Sequence, residues 1–132
     1  MTKTFEELGL SAQLTKALSE IGFEAPFPIQ EAAIPLVLEG KDVVGQAHTG
    51  TGKTAAFGLP ILQKIKADGP MQVLILAPTR ELAVQITTEI NRLAKYTGVK
   101  TVAIYGGQSI NVQLDKLQRG VQIVVATPGR LI

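Results

Sequence analysis

From residue 42 onward, short apolar runs alternate with longer segments in which apolar side chains recur at helical spacing. The apolar runs are rich in valine, isoleucine and leucine, and they predict four strands, at residues 43–47, 73–77, 99–105 and 121–126. The segments between them predict helices near residues 53–66, 80–96 and 110–118. Strands that alternate with helices in this way indicate an α/β fold with a parallel sheet flanked by helices.

Two more helices are predicted before the first strand. Ser11 can cap the first of them, which continues with leucines at helical spacing until Gly22 ends it. A proline-rich loop follows, and Pro28 suits the first turn of a second helix that ends at Gly40. We expect Pro35 to kink this second helix, because a proline ring clashes with the carbonyl four residues earlier.

The composition narrows the class of protein. The chain has 132 residues, 45% of them hydrophobic, and fits one globular domain; it has no cysteine for disulfides or thiolate metal sites. No apolar run approaches the roughly 20 residues that span a bilayer, and the N-terminus lacks the apolar region of a signal peptide. We therefore expect a cytoplasmic protein with no membrane partner. The net charge of +2 is spread along the chain and gives only weak support for a polyanionic partner.

The first predicted strand runs into a glycine-containing loop that carries the clearest chemistry. Gly50 and Gly52 leave the backbone free to wrap around phosphate oxygens. Lys53 would place its ammonium group between the terminal phosphates, and the hydroxyl of Thr54 would ligate Mg²⁺ at the start of a helix. The pattern predicts a nucleoside triphosphate site, and the alternative is a glycine-rich turn with a helix-capping threonine. The expected site residues are Ala47, which replaces the glycine of the strict pattern, His48, Thr49, Gly50, Thr51, Gly52, Lys53 and Thr54.

Small and polar residues also follow each of the other three strands. They are Pro78, Thr79 and Arg80 after the second strand, Gly106 and Gly107 after the third, and Thr127, Gly129 and Arg130 after the fourth. Because open parallel sheets bind ligands at the carboxyl ends of their strands, we expect one continuous binding surface there. Taken singly, each loop could equally be ordinary turn chemistry. Thr79 is the expected cap of the next helix, and Arg80, whose charge opposes the helix dipole, is expected to have an anionic partner from elsewhere.

With these residues in view, the chain resembles the first part of the N-terminal RecA-like domain of a DEAD-box ATP-dependent RNA helicase. Residues 22–30 resemble the Q motif of that family, whose upstream aromatic residue corresponds to Phe5. Residues 47–54 resemble motif I, residues 78–83 motif Ia, Gly106 and Gly107 the GG element, and residues 127–130 motif Ib. The resemblance implies a Q-motif region at residues 1–40 and a parallel α/β core with the other motifs at residues 41–132.

The resemblance implies that the nucleotide is ATP. The amide of Gln30 would both donate to and accept from the adenine edge, while the ring of Phe23 would pack on the adenine face. Phe5 and Pro28 belong to the same implied base site. Phe27 departs from the family, which usually has threonine there, and is expected to change how the loop packs. His48 also departs from the family and is expected to face solvent.

The resemblance further implies that Pro78, Thr79, Arg80, Gly106, Gly107, Thr127, Gly129 and Arg130 touch the sugar-phosphate backbone of one RNA strand. Contacts of this kind carry no base sequence information. In the intact protein, this domain would work with a second RecA-like domain to separate short RNA duplexes. Other P-loop enzymes, such as DNA helicases or transporters, are the alternative family.

The catalytic acids that such an ATPase needs are not evident in this sequence. None of its eleven acidic residues closes an apolar strand, so Lys53 and Thr54 are the only candidates with a role in hydrolysis. The resemblance places the Asp-Glu-Ala-Asp and Ser-Ala-Thr motifs beyond Ile132. We therefore expect the 132-residue chain alone to be inactive and to associate with itself through an unpaired sheet edge. Two further hypotheses are a nucleotide-binding module without hydrolysis and a purely structural half-domain.

Overall fold

A computed structural model describes residues 4–45, 52–106 and 120–128 of the chain. Its helices and strands, in chain order, are α1 (Ala12–Ile21), α2 (Pro28–Leu38), α3 (Lys53–Lys64), β1 (Val73–Leu76), α4 (Arg80–Leu93), β2 (Thr101–Ile104) and β3 (Ile123–Ala126). The chain divides into two compact units, one of Met1–Lys64 with Arg92–Thr97 and one of Ile65–Asn91 with Gly98–Ile132. The predicted division at residue 40 stays a prediction.

The helix ends in the first unit follow the local signals of the sequence. The hydroxyl of Ser11 accepts a hydrogen bond from the backbone N–H of Leu14 at 3.4 Å, which caps α1 as predicted. Gly22 ends α1 in the left-handed conformation, with φ of 104°. Pro28 begins α2, which ends at Leu38, and Pro35 lies inside it; the kink at Pro35 stays a prediction.

The core of the first unit lies between its helices. α2 packs against α3, and α1 also contacts α3. Leu14 and Leu18 from α1, Ile34 from α2 and Leu59 from α3 are all almost fully buried. This packing is what places the first turn of α2 beside the first turn of α3, where the candidate phosphate site lies.

The second unit contains a parallel sheet with strand order β1-β3-β2. All four residues of the central strand β3 are buried, as expected for a strand that is covered on both faces. Three of the four predicted strands and the helix after β1 are thus confirmed, with shorter boundaries than predicted. The predicted helix at 110–118 lies outside the described residues.

The prediction of a strand at residues 43–47 is wrong for the part of this segment that the structure describes. Residues 43–45 have no strand conformation, and Val44 is 95% exposed. A strand forms only where its backbone groups pair with a neighbour, and within residues 4–45, 52–106 and 120–128 no other strand pairs with this segment. Gln46 and Ala47 lie outside the described residues.

No described helix combines the length and the apolar character that crossing a bilayer requires.

Candidate nucleotide and nucleic-acid sites

Gly52, Lys53 and Thr54 form the N-terminal end of α3. Gly52 has a left-handed backbone, with φ of 78°, and Lys53 is the first residue of the helix. The side chain of Lys53 is exposed and that of Thr54 is half-buried. The first N–H groups of a helix have no partner within it and favour an anion. The structure thus brings these three predicted residues together in an arrangement that suits phosphate; Ala47, His48, Thr49, Gly50 and Thr51 lie outside the described residues.

Gln30 connects the first turn of α2 to this helix end. Its side chain is fully buried, and its Nε2 donates a hydrogen bond to the backbone carbonyl of Gly52 at 3.2 Å. Its Oε1 accepts a hydrogen bond from the backbone N–H of Phe27 at 3.0 Å. The Gly52 carbonyl also accepts the N–H of Ala56 at 3.1 Å, the first such bond in α3. Gln30 is therefore fixed by two backbone groups.

Two phenylalanines lie at the same place. The rings of Phe23 and Phe27 meet edge to face, with their centroids 5.8 Å apart. A β-carbon built on Gly52 would lie 2.8 Å from Cδ2 of Phe27, so the ring lies directly against this glycine. Phe27 is 37% exposed, whereas Phe5, which is predicted to belong to the base site, is buried in the core. The roles predicted for Phe5 and Phe23 in binding the base stay predictions.

Pro28 itself is exposed at the start of α2, and its predicted part in the base site likewise stays a prediction.

A cavity of about 270 Å³ lies beside Lys53 in the first unit. The residues that line it are Ile29, Ala33, Val37, Val43, Gly45, Lys53, Ala56 and Phe57. All of them except Lys53 are apolar or glycine, so the cavity lacks the hydrogen-bonding side chains that recognise a base. Phe23 and Gln30 are not among the lining residues, and the cavity is distinct from the predicted base site.

The carboxyl ends of the three strands in the second unit lie in line. The register pairs Leu76 with Ala126 and Ala126 with Ile104. Hydrogen bonds continue past the strand ends, since the N–H of Ala77 donates to the Ala126 carbonyl at 2.9 Å and the N–H of Thr127 donates to the Ile104 carbonyl at 3.1 Å. The loops after the strands therefore begin at one edge of the sheet, as the sequence predicted.

This edge carries most of the predicted nucleic-acid residues that the structure describes. Pro78, Thr79, Arg80 and Gly106 are exposed there, and Thr127 is half-buried. Gly107, Gly129 and Arg130 lie outside the described residues. The exposed residues offer a hydroxyl and a guanidinium group at the edge, and both groups can donate to phosphate oxygens.

The start of α4 carries a capping residue, Thr79, and an ion pair between Arg80 and Glu81. The Thr79 hydroxyl accepts the N–H of Leu82 at 3.2 Å, which confirms the predicted cap. Arg80 pairs with Glu81 at 3.4 Å, and both side chains are exposed. The carboxylate of Glu81 thus lies within reach of Arg80, and the expected anionic partner from elsewhere stays a prediction. The pKa of Glu81 is lowered, first by a hydrogen bond from the backbone to its carboxylate and second by the hydrogen bond and the positive charge of Arg80.

The contact of Gln30 and Phe27 with Gly52 was not predicted from the sequence. One signal was available, because glutamine at the third position of a helix often accepts the N–H of the capping residue, as Gln30 does here. No local signal indicates that the other end of this amide reaches a residue 22 positions away.

Solved helicase structures superpose closely on the chain. A DEAD box protein from the hyperthermophile Methanococcus jannaschii matches 97% of this chain, with a TM-score of 0.91 and 42% identity, and the match covers 35% of that protein. The RNA helicase Prp28 from Chaetomium thermophilum, solved with ADP bound, matches 98% of this chain, with a TM-score of 0.86 and 44% identity, over 33% of its own length. These neighbours confirm the predicted α/β fold class.

Curated relatives give the same result from sequence. The DEAD-box ATP-dependent RNA helicase RhpA of Helicobacter pylori is 51% identical over 98% of this chain and 26% of its own length. CshA of Streptococcus pneumoniae, another DEAD-box ATP-dependent RNA helicase, is 56% identical over 97% of this chain and 25% of its own length. The chain thus spans about a quarter of the length of these relatives. The family model of the DEAD/DEAH box helicases matches residues 27–132, and the chain belongs to this family.

Proposed function

We propose that this chain supplies the ATP site and part of the RNA-binding surface of an ATP-dependent RNA helicase. The observation that carries the proposal is the end of α3, where Gln30 holds the Gly52 carbonyl and the helix presents Lys53 and Thr54 at its N-terminus. The relatives that are named ATP-dependent RNA helicases support the same function.

In this proposal, Lys53 contacts the terminal phosphates of ATP, while the free N–H groups of the first turn of α3 hold the phosphate oxygens. The Thr54 hydroxyl suits Mg²⁺, a cation that prefers oxygen ligands, and the remaining ligands would be phosphate oxygens and water. The bound cation would neutralise charge on the phosphates during transfer. This chain's own contribution is to place the lysine and the hydroxyl side by side on a rigid helix.

In the same proposal, Phe23 and Gln30 contact the adenine base. Each polar atom of the Gln30 amide already makes one hydrogen bond, to Gly52 and to Phe27. An amide nitrogen has two N–H groups and an amide oxygen has two lone pairs, so one donor and one acceptor remain for adenine. Because the side chain is fully buried, the residues around it must move before adenine can reach it.

The RNA contact falls to the carboxyl edge of the sheet. Thr79, Arg80 and Thr127 would donate hydrogen bonds to successive phosphates of one strand, and Gly106 would let the backbone approach closely. Contacts of this kind predict binding that depends little on base sequence and weakens as salt rises.

The test is RNA-stimulated ATP hydrolysis by the full-length protein that contains this chain. We expect turnover that rises with added single-stranded RNA and disappears in Lys53→Ala. ATP binding with no turnover under any RNA concentration would favour a nucleotide-binding module instead. Absence of ATP binding by the full-length protein would reject the proposal.

A further inference from the structure

Phe27 occupies the N-cap position of α2, where its side chain cannot do what an N-cap side chain usually does. It has no oxygen to accept an N–H group of the first turn, and no such hydrogen bond is made. The Gln30 amide instead accepts the N–H of Phe27. The side chain of Phe27 therefore does not cap α2, and its ring makes its contacts away from the first turn of the helix.

The Phe27 ring contacts Phe23 and lies against Gly52. The Phe27 ring meets Phe23 edge to face, and its Cδ2 atom lies 2.8 Å from the place where a β-carbon on Gly52 would be. Gly52 has a left-handed backbone, and its carbonyl accepts hydrogen bonds from both Gln30 and Ala56. The start of α2 thus holds Gly52 in two ways, by the amide hydrogen bond of Gln30 and by the ring of the N-cap residue Phe27.

We propose that Phe27 is a positioning residue for the phosphate site: its ring, supported by Phe23, keeps Gly52 in the left-handed conformation that sets the start of α3 before a nucleotide binds. The proposal rests on the proposed function for its meaning in ATP binding. The contact itself lies within one compact unit and requires no ligand.

The ring acts through Gly52 and not by touching phosphate. An aromatic side chain packed on a glycine backbone restricts the backbone without adding a charge or a donor, so the preset N–H groups stay available to an anion. Losing the ring should therefore loosen the start of α3 first, and weaken nucleotide affinity as a consequence.

The test compares Phe27→Thr with Phe27→Tyr in the full-length protein that contains this chain. Threonine restores a capping hydroxyl and removes the ring, so α2 should still form; tyrosine keeps the ring. In the absence of nucleotide, hydrogen exchange at the backbone N–H of Ala56, which donates to Gly52, reports on this contact directly. We expect exchange at Ala56 to rise by about tenfold in Phe27→Thr, which corresponds to the free energy of one aromatic contact. In Phe27→Tyr we expect exchange at Ala56 to stay unchanged.

ADP affinity supplies the second measurement. We expect it to fall by about five- to tenfold in Phe27→Thr and to be retained in Phe27→Tyr. Unchanged exchange at Ala56 in Phe27→Thr would overturn the proposal. Exchange that rises equally in α1 would also overturn it, because the effect would then be a general loss of stability. A loss of ADP affinity without faster exchange would assign the ring to the base and likewise overturn it. Wild-type protein that binds no ADP or ATP would reject the proposed function, while the exchange result would still decide the role of Phe27.

Discussion

The amide of Gln30 donates to the backbone carbonyl of Gly52 at 3.2 Å, and this bond joins the start of α2 to the start of α3. The same amide accepts the N–H of Phe27, so one buried side chain satisfies backbone groups on two segments. In the proposed function, the residue that reads adenine is thereby also the residue that holds the phosphate site. Base recognition and phosphate recognition are connected through a single side chain.

Replacing Gln30 by alanine should affect both stability and nucleotide choice. The Phe27 N–H would lose its partner, and the Gly52 carbonyl would lose one of two, which should cost about 1–3 kcal/mol of unfolding free energy. We also expect lower ATP affinity and less discrimination against GTP. Denaturant titration and competition binding with both nucleotides measure the two effects. Gln13→Ala, at an exposed position of α1, is the matched control and should change neither. Retained selectivity in Gln30→Ala would restrict Gln30 to a structural role.

Gly52→Ala should be more harmful than alanine at an ordinary left-handed glycine. The left-handed backbone alone costs a residue with a side chain about 1–2 kcal/mol. The new methyl group would also overlap the Gln30 amide and press on the Phe27 ring. Gly22→Ala is the control, because Gly22 is left-handed too, with φ of 104°, but a β-carbon there would meet nothing within 4 Å. Equal losses of unfolding free energy in the two variants would show that the overlap relaxes freely.

Lys53→Ala should weaken nucleotide binding without unfolding the protein. The Lys53 side chain is exposed, so its truncation leaves no cavity, whereas a charge-assisted contact to phosphate contributes about 1.5–3 kcal/mol, or tenfold or more in ATP affinity. Lys41→Ala is the control, since Lys41 is also exposed and its side chain forms a surface ion pair with Glu39. ATP titration and thermal unfolding of both variants are the measurements. Wild-type affinity in Lys53→Ala would contradict the assignment of the phosphate site.

The sequence predicted the features of this fold that depend on neighbours along the chain. Ser11, Gly22 and Pro28 each act on the backbone within a few residues, and the structure confirms all three helix ends. The parallel sheet was predictable as well, because buried strands read as continuous apolar runs. These signals are local, and each has one dominant physical reading.

The features that the sequence did not predict depend on distant partners. Gln122 is buried, its Oε1 accepts the N–H of Lys100, and its Nε2 donates to the carbonyl of Gly69, 53 positions away. A glutamine beside a strand is ordinarily solvated, and nothing near it in the sequence indicates these bonds. The segment at 43–45 shows the converse, since its apolar pattern predicts a strand but pairing decides whether one forms.

Stability should depend on pH through Glu20. Its carboxylate accepts hydrogen bonds from the Tyr96 hydroxyl and from Lys95, and these, with the charges of Lys95 and Lys16, lower the pKa of Glu20 below 4.5. A lowered carboxylate pKa adds stability above the unfolded value, and that stability is lost as pH falls through the folded value. The same contacts raise the pKa of Lys95 above 10.5 and that of Tyr96 above 10.0. Their contribution is present below those values and is lost as pH rises through the raised ones.

The measurement is the unfolding free energy of wild type and Glu20→Gln across pH. The difference between them should be largest from about pH 5 to about pH 10 and should shrink on either side. Glu24→Gln makes the same change of charge at another exposed position and is the control. A difference that stays constant from acid to alkaline pH would show that Glu20 contributes no ionic interaction.

Residues 1–132 alone should hydrolyse no ATP even with saturating RNA. In the proposed function Lys53 and Thr54 hold phosphate and Mg²⁺, but none of the eleven acidic residues directly follows an apolar run that predicts a strand, where a carboxylate would complete the metal site or orient water. Among the described strands β1 is an outer one, and its Leu74 and Leu76 are 49% and 57% exposed, so the chain should also associate with itself. Steady-state hydrolysis and light scattering measure the two outcomes, and Leu76→Lys should reduce the scattering mass. RNA-stimulated turnover would reveal a catalytic acid among the eleven, and a monodisperse monomer would show that the apolar surface of β1 is tolerated in water.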